Sequence, residues 1–198
     1  TSLPMLFIKG FDVVMDRVDV LLVGFVLGAV PAAIYAVASR TANLAIFPLV
    51  AVNSVTAPRI SPMYNNGKIE DLNTLVCRAT LLSFGLSALV VAGIILLSYP
   101  LLRLFGEEFL VGQRTLVILA IGYLINAATG PVSYLMSMTG HQDVNGRIYG
   151  VVVAINITLN LSLLTFTDFG IEGVAFATAF TIALRNIWLY FEVRRRLG

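Results

Sequence analysis

Six transmembrane helices in an all-α bundle are the architecture that the amino-acid pattern indicates. Hydrophobic residues make up 58% of the chain and charged residues 12%, against roughly 45–50% and about 25% in soluble domains. Charged residues are also missing from five windows whose lengths are close to the ~20 residues that cross a bilayer core. These uncharged windows are 20–39, 41–58, 79–102, 115–140 and 148–167.

Prolines, glycines and polar connectors set the limits of the six predicted helices. Pro31 suits the first turn of a helix, because backbone N–H groups there have no acceptor within the helix. The segment PRISPMYNNGKIEDLN has two prolines and an Asn-Asn-Gly turn signal, and is interpreted as a connector. Pro100 is expected to stop the third helix. The predicted helices of this single domain, 1–198, span about 3–28, 31–56, 72–99, 111–138, 146–166 and 171–194.

The distribution of basic residues predicts the orientation of the bundle. Six crossings place both termini on one side of the membrane, and short cytoplasmic loops carry an excess of Lys and Arg. The loops on the opposite side contain only two basic residues, Arg103 and Arg114. We therefore expect a multi-pass protein of the cytoplasmic (inner) membrane with cytoplasmic termini. The basic residues on the side of the termini are Arg59, Lys68, Arg78, Arg147, Arg194, Arg195 and Arg196.

The first predicted helix carries a stripe of charged side chains. Lys9, Asp12, Asp16 and Asp19 are spaced by three, four and three residues, so they share one helix face, and only Arg17 points elsewhere. Intramembrane charges are costly and mark functional paths. The stripe therefore indicates a helix that lines an aqueous cavity. Asp16 and Asp19 could bind a proton or a sodium ion, or accept hydrogen bonds from sugar hydroxyls.

A simpler interpretation of the same charges places them at the membrane surface. If the helix begins only near Val13, Lys9 and Asp12 are interfacial. Asp16 and Arg17 are then a pair at the helix end whose charged groups reach the interface.

Helix two contains polar residues and a proline. Arg40 and Asn43 share a face, and Pro48 removes a main-chain hydrogen bond to Leu44, which predicts a kink. Arg40 either pairs with an aspartate of helix one or anchors a helix end.

Helices four and five contain further polar residues within apolar runs. Asn126, Gly130 and Pro131 interrupt helix four, which indicates either a break that exposes backbone to a cavity, with Gly130 and Pro131 as a hinge, or a simple kink. In helix five, Asn156 and Asn160 lie on the same face as Asn145 and Tyr149. The two amides at i and i+4 either hold a polar ligand or join helices.

Signatures of catalysis, metal binding and nucleic-acid binding are missing. His141 is the only histidine, and it lies in a loop without a second histidine or a cysteine. Neither a nucleophile elbow nor a phosphate-binding loop occurs. The net charge of +2 is too small to indicate a nucleic-acid partner. We expect a protein that is not an enzyme, with no cofactor or bound metal beyond a possible coupling ion, H⁺ or Na⁺.

Several segments together resemble the polysaccharide flippases of the multidrug/oligosaccharidyl-lipid/polysaccharide exporter superfamily. The first is VDVLLVGFVLG, followed by IYAVASR, the exit APRISPMY and a mixed-charge linker. The segments LLRLFGEEF, LVILAIGYLINAATGPVSYLMSMTGHQ and GIEGVAFATAF follow in the same order. Each segment alone is weakly specific, but their order and spacing match over essentially the whole chain.

The resemblance implies a parent transporter of about 12–14 helices in two six-helix lobes. This chain would be the C-terminal lobe, with the N-terminal lobe, the bilayer and a lipid-linked oligosaccharide as its partners. The cargo would cross the membrane by alternating access around a central cavity. Flippases of pyrophosphate-linked lipids are expected to have a cationic cavity, whereas this half offers three aspartates and few basic groups.

The function that we predict from these observations is flipping of a lipid-linked oligosaccharide or polysaccharide precursor. A cation-coupled exporter of drugs on the same fold is one alternative. A membrane scaffold of a glycan-assembly complex, without transport activity, is another.

Overall fold

A computed structural model of the chain describes residues 17–197 and contains only helices, turns and loops in that range. Two 3₁₀ segments, Asn43–Ile46 and Glu107–Gly112, separate longer helices. The α-helices are α1 (17–27), α2 (Ala29–Ala42), α3 (Phe47–Asn65), α4 (Ile69–Leu96), α5 (Ser98–Arg103), α6 (Gln113–Thr129), α7 (Val132–Met138), α8 (Gln142–Phe166) and α9 (Gly170–Leu197).

Five of the described helical segments are long and apolar enough to cross a bilayer. This finding confirms the prediction of an all-α, polytopic membrane protein. The described part of the first predicted helix is α1, and the rest of that helix lies outside the described residues. The five candidate spans are Ala29–Asn65, Ile69–Leu96, Glu107–Thr129, Gln142–Phe166 and Gly170–Arg196.

The second predicted helix, 31–56, is divided in the structure and extends farther along the chain. Pro48 lies in the first turn of α3, just after the 3₁₀ segment Asn43–Ile46, where its missing N–H interrupts the helical hydrogen bonds. The Ser87 hydroxyl of α4 donates a 2.9 Å hydrogen bond to the carbonyl oxygen of Ala45. A main-chain acceptor within the break is thereby satisfied by a neighbouring helix.

The connector predicted after Thr56 is largely helical, which corrects the sequence interpretation. Pro58 and Pro62 lie inside α3, because each proline removes a single main-chain hydrogen bond and neighbouring groups can satisfy the freed carbonyl. The helix ends instead at Asn65, two residues before Gly67, which has a φ of 69°. The amide of Gly67 donates to the Tyr64 carbonyl and that of Lys68 to the Met63 carbonyl, the Schellman pattern of a helix end.

The third predicted helix, 72–99, is also displaced. It begins at Ile69 and ends at Leu96, so Pro100 does not terminate it. Pro100 is the third residue of the next short helix, α5. A proline is tolerated there because the first amides of a helix have no intrahelical acceptor.

The fourth predicted helix, 111–138, is two helices, α6 and α7, with Gly130 and Pro131 between them. Gly130 adopts φ 68° and ψ −156°, a conformation that is essentially restricted to glycine. The fifth and sixth helices begin at Gln142 and Gly170, slightly earlier than predicted, and α9 continues to Leu197. Gln142 and Asp143, which suggested a loop, form the first turn of α8.

The largest hydrophobic core lies between α6 and the helices that surround it. α6 packs most extensively on α9 and α4. Gly122 of α6 lies so close to α9 that a β-carbon there would come within 2.8 Å of the Ala179 β-carbon. The fully buried residues Tyr35, Leu116 and Val174 belong to this core. Two smaller cores join α7 to α8 and α9, and α3 to α4 and α7.

We predict that Gly130→Ala destabilises the protein. A β-carbon at residue 130 would approach the Thr80 hydroxyl to 1.9 Å, and the backbone conformation alone costs about 1–3 kcal/mol for other residues. Thermal unfolding of the detergent-solubilised protein, followed by circular dichroism, should show a clearly lower melting temperature.

Gly85→Ala is the matched control, because among residues 17–197 no atom beyond the adjoining backbone of α4 lies within 4 Å of a β-carbon at that position. It should leave the melting temperature unchanged or raise it, since alanine favours a helix over glycine by up to about 1 kcal/mol. Equal melting temperatures for the two variants would contradict the proposed constraint at Gly130.

Candidate functional site

A cavity of about 690 Å³ lies among the helices. Its volume is within the roughly 300–1,000 Å³ of small-molecule sites. Its wall comes from the breaks after α2 and α6 and from polar faces of the neighbouring helices. The polar side chains that line it are those of Asp19, Tyr35, Ser39, Asn43, Asn53, Tyr123, Asn126, Ser133, Tyr134, Ser137, Tyr149, Thr178, Arg185 and Asn186.

Asp19 is buried and is hydrogen-bonded by three helices. Only 4% of the surface of Asp19 is exposed. Thr178 and Tyr35 donate from their hydroxyls to Oδ2 at 2.6 and 3.1 Å, and Asn160 donates from Nδ2 to Oδ1 at 2.7 Å. Buried carboxylates need such donors because a lipid environment offers none. Asp19 is therefore a fixed part of the cavity wall.

Asn160 and Asn156 extend this network along α8. Asn160 donates to the side-chain oxygen of Asn156 at 3.2 Å, and Asn156 donates to the Thr181 hydroxyl of α9 at 3.2 Å. Both asparagines are buried, and neither lines the cavity. The sequence pattern left a ligand site or a helix-joining role open. The contacts place both amides between α8, α9 and Asp19, as expected of groups that join helices and orient the carboxylate.

A second polar cluster surrounds Arg185 of α9. Its Nη1 donates to the Tyr149 hydroxyl at 2.5 Å, and its Nη2 lies 3.4 Å from Asn126 Oδ1. Asn186 donates to the same Asn126 oxygen at 2.8 Å. The guanidinium carbon also lies 4.6 Å from the centre of the Tyr149 ring, close enough for a cation–π interaction. The hydrogen-bond partners of the Arg185 guanidinium among the described residues are neutral side chains.

Arg185 is not among the site residues predicted from the sequence. A signal was present, because Arg185 is the only charged residue between Glu172 and Glu192 in the sixth predicted helix. An ionisable residue in the middle of such a helix is a functional candidate by default. Arg185 and Thr178 are seven residues apart, so the helical repeat places both on the cavity face of α9.

The remaining predicted site residues have different positions. Asn43, Asn126, Gly130 and Pro131 line the cavity, whereas Pro48 is half-buried beside the 3₁₀ break. The side chains of Arg17 and Arg40 are exposed, and within residues 17–197 neither forms an ion pair. Asp12 and Asp16 lie outside the described residues. The described residues contain no group of three His, Cys, Asp or Glu side chains that could hold a metal ion.

We predict that Asp19→Asn destabilises the protein by about 1–3 kcal/mol. The oxygen of the new amide must face Tyr35 and Thr178 to keep accepting their hydrogen bonds. The nitrogen of the new amide then faces Asn160 Nδ2, so two donors oppose each other. Adding Asn160→Asp returns a carboxylate opposite the new amide and should recover part of the loss. Thermal unfolding in detergent measures both variants.

Asp168→Asn provides the control, because Asp168 is exposed in the loop before α9. It should melt like the unmodified protein. The proposed hydrogen-bond pairing is wrong if Asp19→Asn melts at the same temperature as the unmodified protein. It is also wrong if adding Asn160→Asp lowers the melting temperature further, by as much as an independent change would.

Comparison with known proteins identifies a family. Among curated proteins, "Probable flippase AglR" of Haloferax volcanii is 26% identical over 172 residues, which cover 85% of this chain and 36% of AglR. "Probable low-salt glycan biosynthesis flippase Agl15" of the same organism is 24% identical over 170 residues, with the same shares. The chain thus spans about a third of these relatives. No solved structure matches it.

The MatE family model matches residues 4–162. The matched range includes Asp19, Asn126, Asn156 and Asn160 and ends within α8, before the helix that carries Arg185. Because this range covers well over half of the chain, the chain belongs to the MatE family.

Proposed function

We propose that the protein acts in flipping a lipid-linked oligosaccharide or polysaccharide precursor across the cytoplasmic membrane by alternating access. Membership of the MatE family and the names of the two relatives, both flippases, support this proposal. The single observation that carries it is Arg185, a cation on the wall of a cavity among membrane-spanning helices.

The surroundings of Arg185 favour an anionic cargo. A charged side chain at the centre of a membrane helix costs at least about 2.5–3.5 kcal/mol on insertion scales. Arg185 is bonded to the neutral oxygens of Tyr149 and Asn126, and its Nε is buried without a partner among the described residues. A guanidinium binds phosphate oxygens through a rigid set of N–H donors. The phosphate that links a glycan to its lipid carrier is an anion of this kind.

The rest of the cavity suits the uncharged part of such a cargo. Asn43, Asn53 and Asn186 supply both donors and acceptors, as sugar hydroxyls require. Asn53 is only 4% exposed and its Oδ1 has no partner among residues 17–197. The aromatic side chains that line the cavity present apolar faces and polar tips, here those of Tyr35, Tyr123, Tyr134 and Tyr149.

The charges of the cavity argue against a cationic drug as the cargo. A bulky organic cation that paired with Asp19 would have to displace the hydrogen bonds from Tyr35, Asn160 and Thr178, which a proton or a bare metal ion need not do. The same ligand would meet the positive charge of Arg185 on the cavity wall. Like charges in a low-dielectric environment repel strongly.

We further propose the arrangement in the membrane and the partner. The excess of Lys and Arg on one side supports termini in the cytoplasm. A second six-helix lobe would face the cavity and rock against this one. Asp19 is the candidate group for coupling to a proton or a sodium ion.

We predict that Arg185→Gln lowers glycan flipping about 10- to 100-fold, because a hydrogen bond to a charged group contributes about 1.5–3 kcal/mol. Arg185→Lys keeps the charge but loses the planar set of donors, and should retain part of the activity. The measurement is rescue of surface glycan in a strain that lacks its own glycan flippase, with protein levels in the membrane quantified.

Arg114→Gln is the matched control, since the Arg114 side chain is 82% exposed and lies 3.8 Å from Glu172, away from the cavity. It should rescue fully. Full rescue by Arg185→Gln at normal protein levels would remove Arg185 from the transport step, and drug resistance in place of glycan rescue would favour the exporter.

A further inference from the structure

Two serines of α7 face the cavity together. Ser133 and Ser137 are four residues apart, so they lie on one face of the helix, and both line the cavity. The Nδ2 group of Asn145, from α8, lies 2.9 Å from the Ser133 hydroxyl and 3.0 Å from the Ser137 hydroxyl. Asn145 is completely buried. One buried amide thus holds both hydroxyl groups at the cavity wall.

The hydrogen-bond chemistry determines which way these groups point. Asn145 Nδ2 also lies 3.2 Å from the main-chain carbonyl oxygen of Ser133. A carbonyl oxygen can only accept, so the amide nitrogen of Asn145 must face it. The two hydrogens of this nitrogen are shared among three acceptors, the Ser133 carbonyl oxygen and the two serine hydroxyl oxygens. The hydroxyls therefore accept from Asn145, and among the described residues neither hydroxyl donates to a protein acceptor. Their O–H hydrogens are available to a ligand in the cavity.

The serine pair and Arg185 are supported by adjacent turns of α8. Asn145 holds the serines, and Tyr149, four residues later and about 6 Å along the helix axis, holds the Arg185 guanidinium. All three groups line the same cavity and present N–H or O–H donors. A site made of donors fits a ligand whose oxygens only accept, which is the chemistry of a phosphate.

We propose that Ser133 and Ser137 bind the phosphate of the lipid carrier together with Arg185, and that Asn145 is the positioning residue of the two hydroxyls. This inference rests on the proposed function for the nature of the cargo. It adds a subsite on α7 that discriminates a phosphorylated lipid from an uncharged one. Sugar hydroxyls require acceptors as well as donors, and the amide-lined part of the cavity around Asn53 provides them.

The test is binding of farnesyl phosphate and of farnesol to the purified full-length protein in detergent micelles by isothermal titration calorimetry. The double variant Ser133→Ala/Ser137→Ala should bind farnesyl phosphate at least tenfold more weakly than the unmodified protein, because hydrogen bonds to a charged group are lost. Its binding of farnesol should not change. The matched control is Ser54→Ala/Ser162→Ala, two serines outside the cavity, which should bind both ligands normally.

Two further variants separate the subsite from a folding defect. Ser133→Thr/Ser137→Thr keeps both hydroxyls and should retain most of the affinity for farnesyl phosphate. Asn145→Ala should weaken farnesyl phosphate binding in the unmodified background but not in the double-alanine background, because Asn145 acts through the two serines. A merely structural role of Asn145 would give the same loss in both backgrounds.

Other outcomes would overturn the proposal. It is wrong if the unmodified protein does not bind farnesyl phosphate, if the double-alanine variant binds it normally, or if farnesol binding falls equally. The proposed function has a separate readout. Serine-dependent phosphate binding without glycan rescue would refute flipping and leave the subsite intact, whereas rescue with serine-independent binding would refute the subsite alone.

Discussion

Charged side chains within membrane-spanning helices must find their hydrogen-bond partners inside the protein, because lipid chains offer none. α8 meets this constraint for two charges. Its Asn160 donates to the Asp19 carboxylate, and its Tyr149 accepts from the Arg185 guanidinium. Helices α1, α7 and α9 are thus linked to one another through polar groups of α8, and Arg185 of α9 extends the links to Asn126 of α6.

The helix breaks complement these polar groups of α8. The 3₁₀ segment Asn43–Ile46 brings Asn43 to the cavity, and the Ser87 hydroxyl satisfies the carbonyl of Ala45 within the break. The break at Gly130 and Pro131 separates Asn126 on α6 from the serines on α7, and all of these side chains reach the same cavity.

Composition and the spacing of charges were sufficient to predict the all-α membrane fold, because a soluble domain of this size does not need five uncharged windows of bilayer length. The break at Gly130 and the shared face of Asn156 and Asn160 also follow from local pattern. The end of α3 was misplaced because proline is tolerated when neighbouring groups satisfy the freed carbonyl. The partners of Arg185 are 36 and 59 residues away in the sequence, on α8 and α6, and local pattern does not contain that information.

The position of Arg185 along α9 bears on how a phosphate could cross the membrane. Arg185 is 15 residues after Gly170 and 12 before Leu197, which corresponds to about 22 and 18 Å along the axis, so it lies near mid-helix. A phosphate is least stable at this depth, where water is scarce and charges interact most strongly. Asp19 bonds to Thr178, which lies about 10 Å from Arg185 along the axis of α9. The hydrogen-bond partners of Arg185 among the described residues are neutral. Under the proposed function, a phosphate bound to the guanidinium would therefore be stabilised at the depth where an unaccompanied phosphate meets its highest barrier.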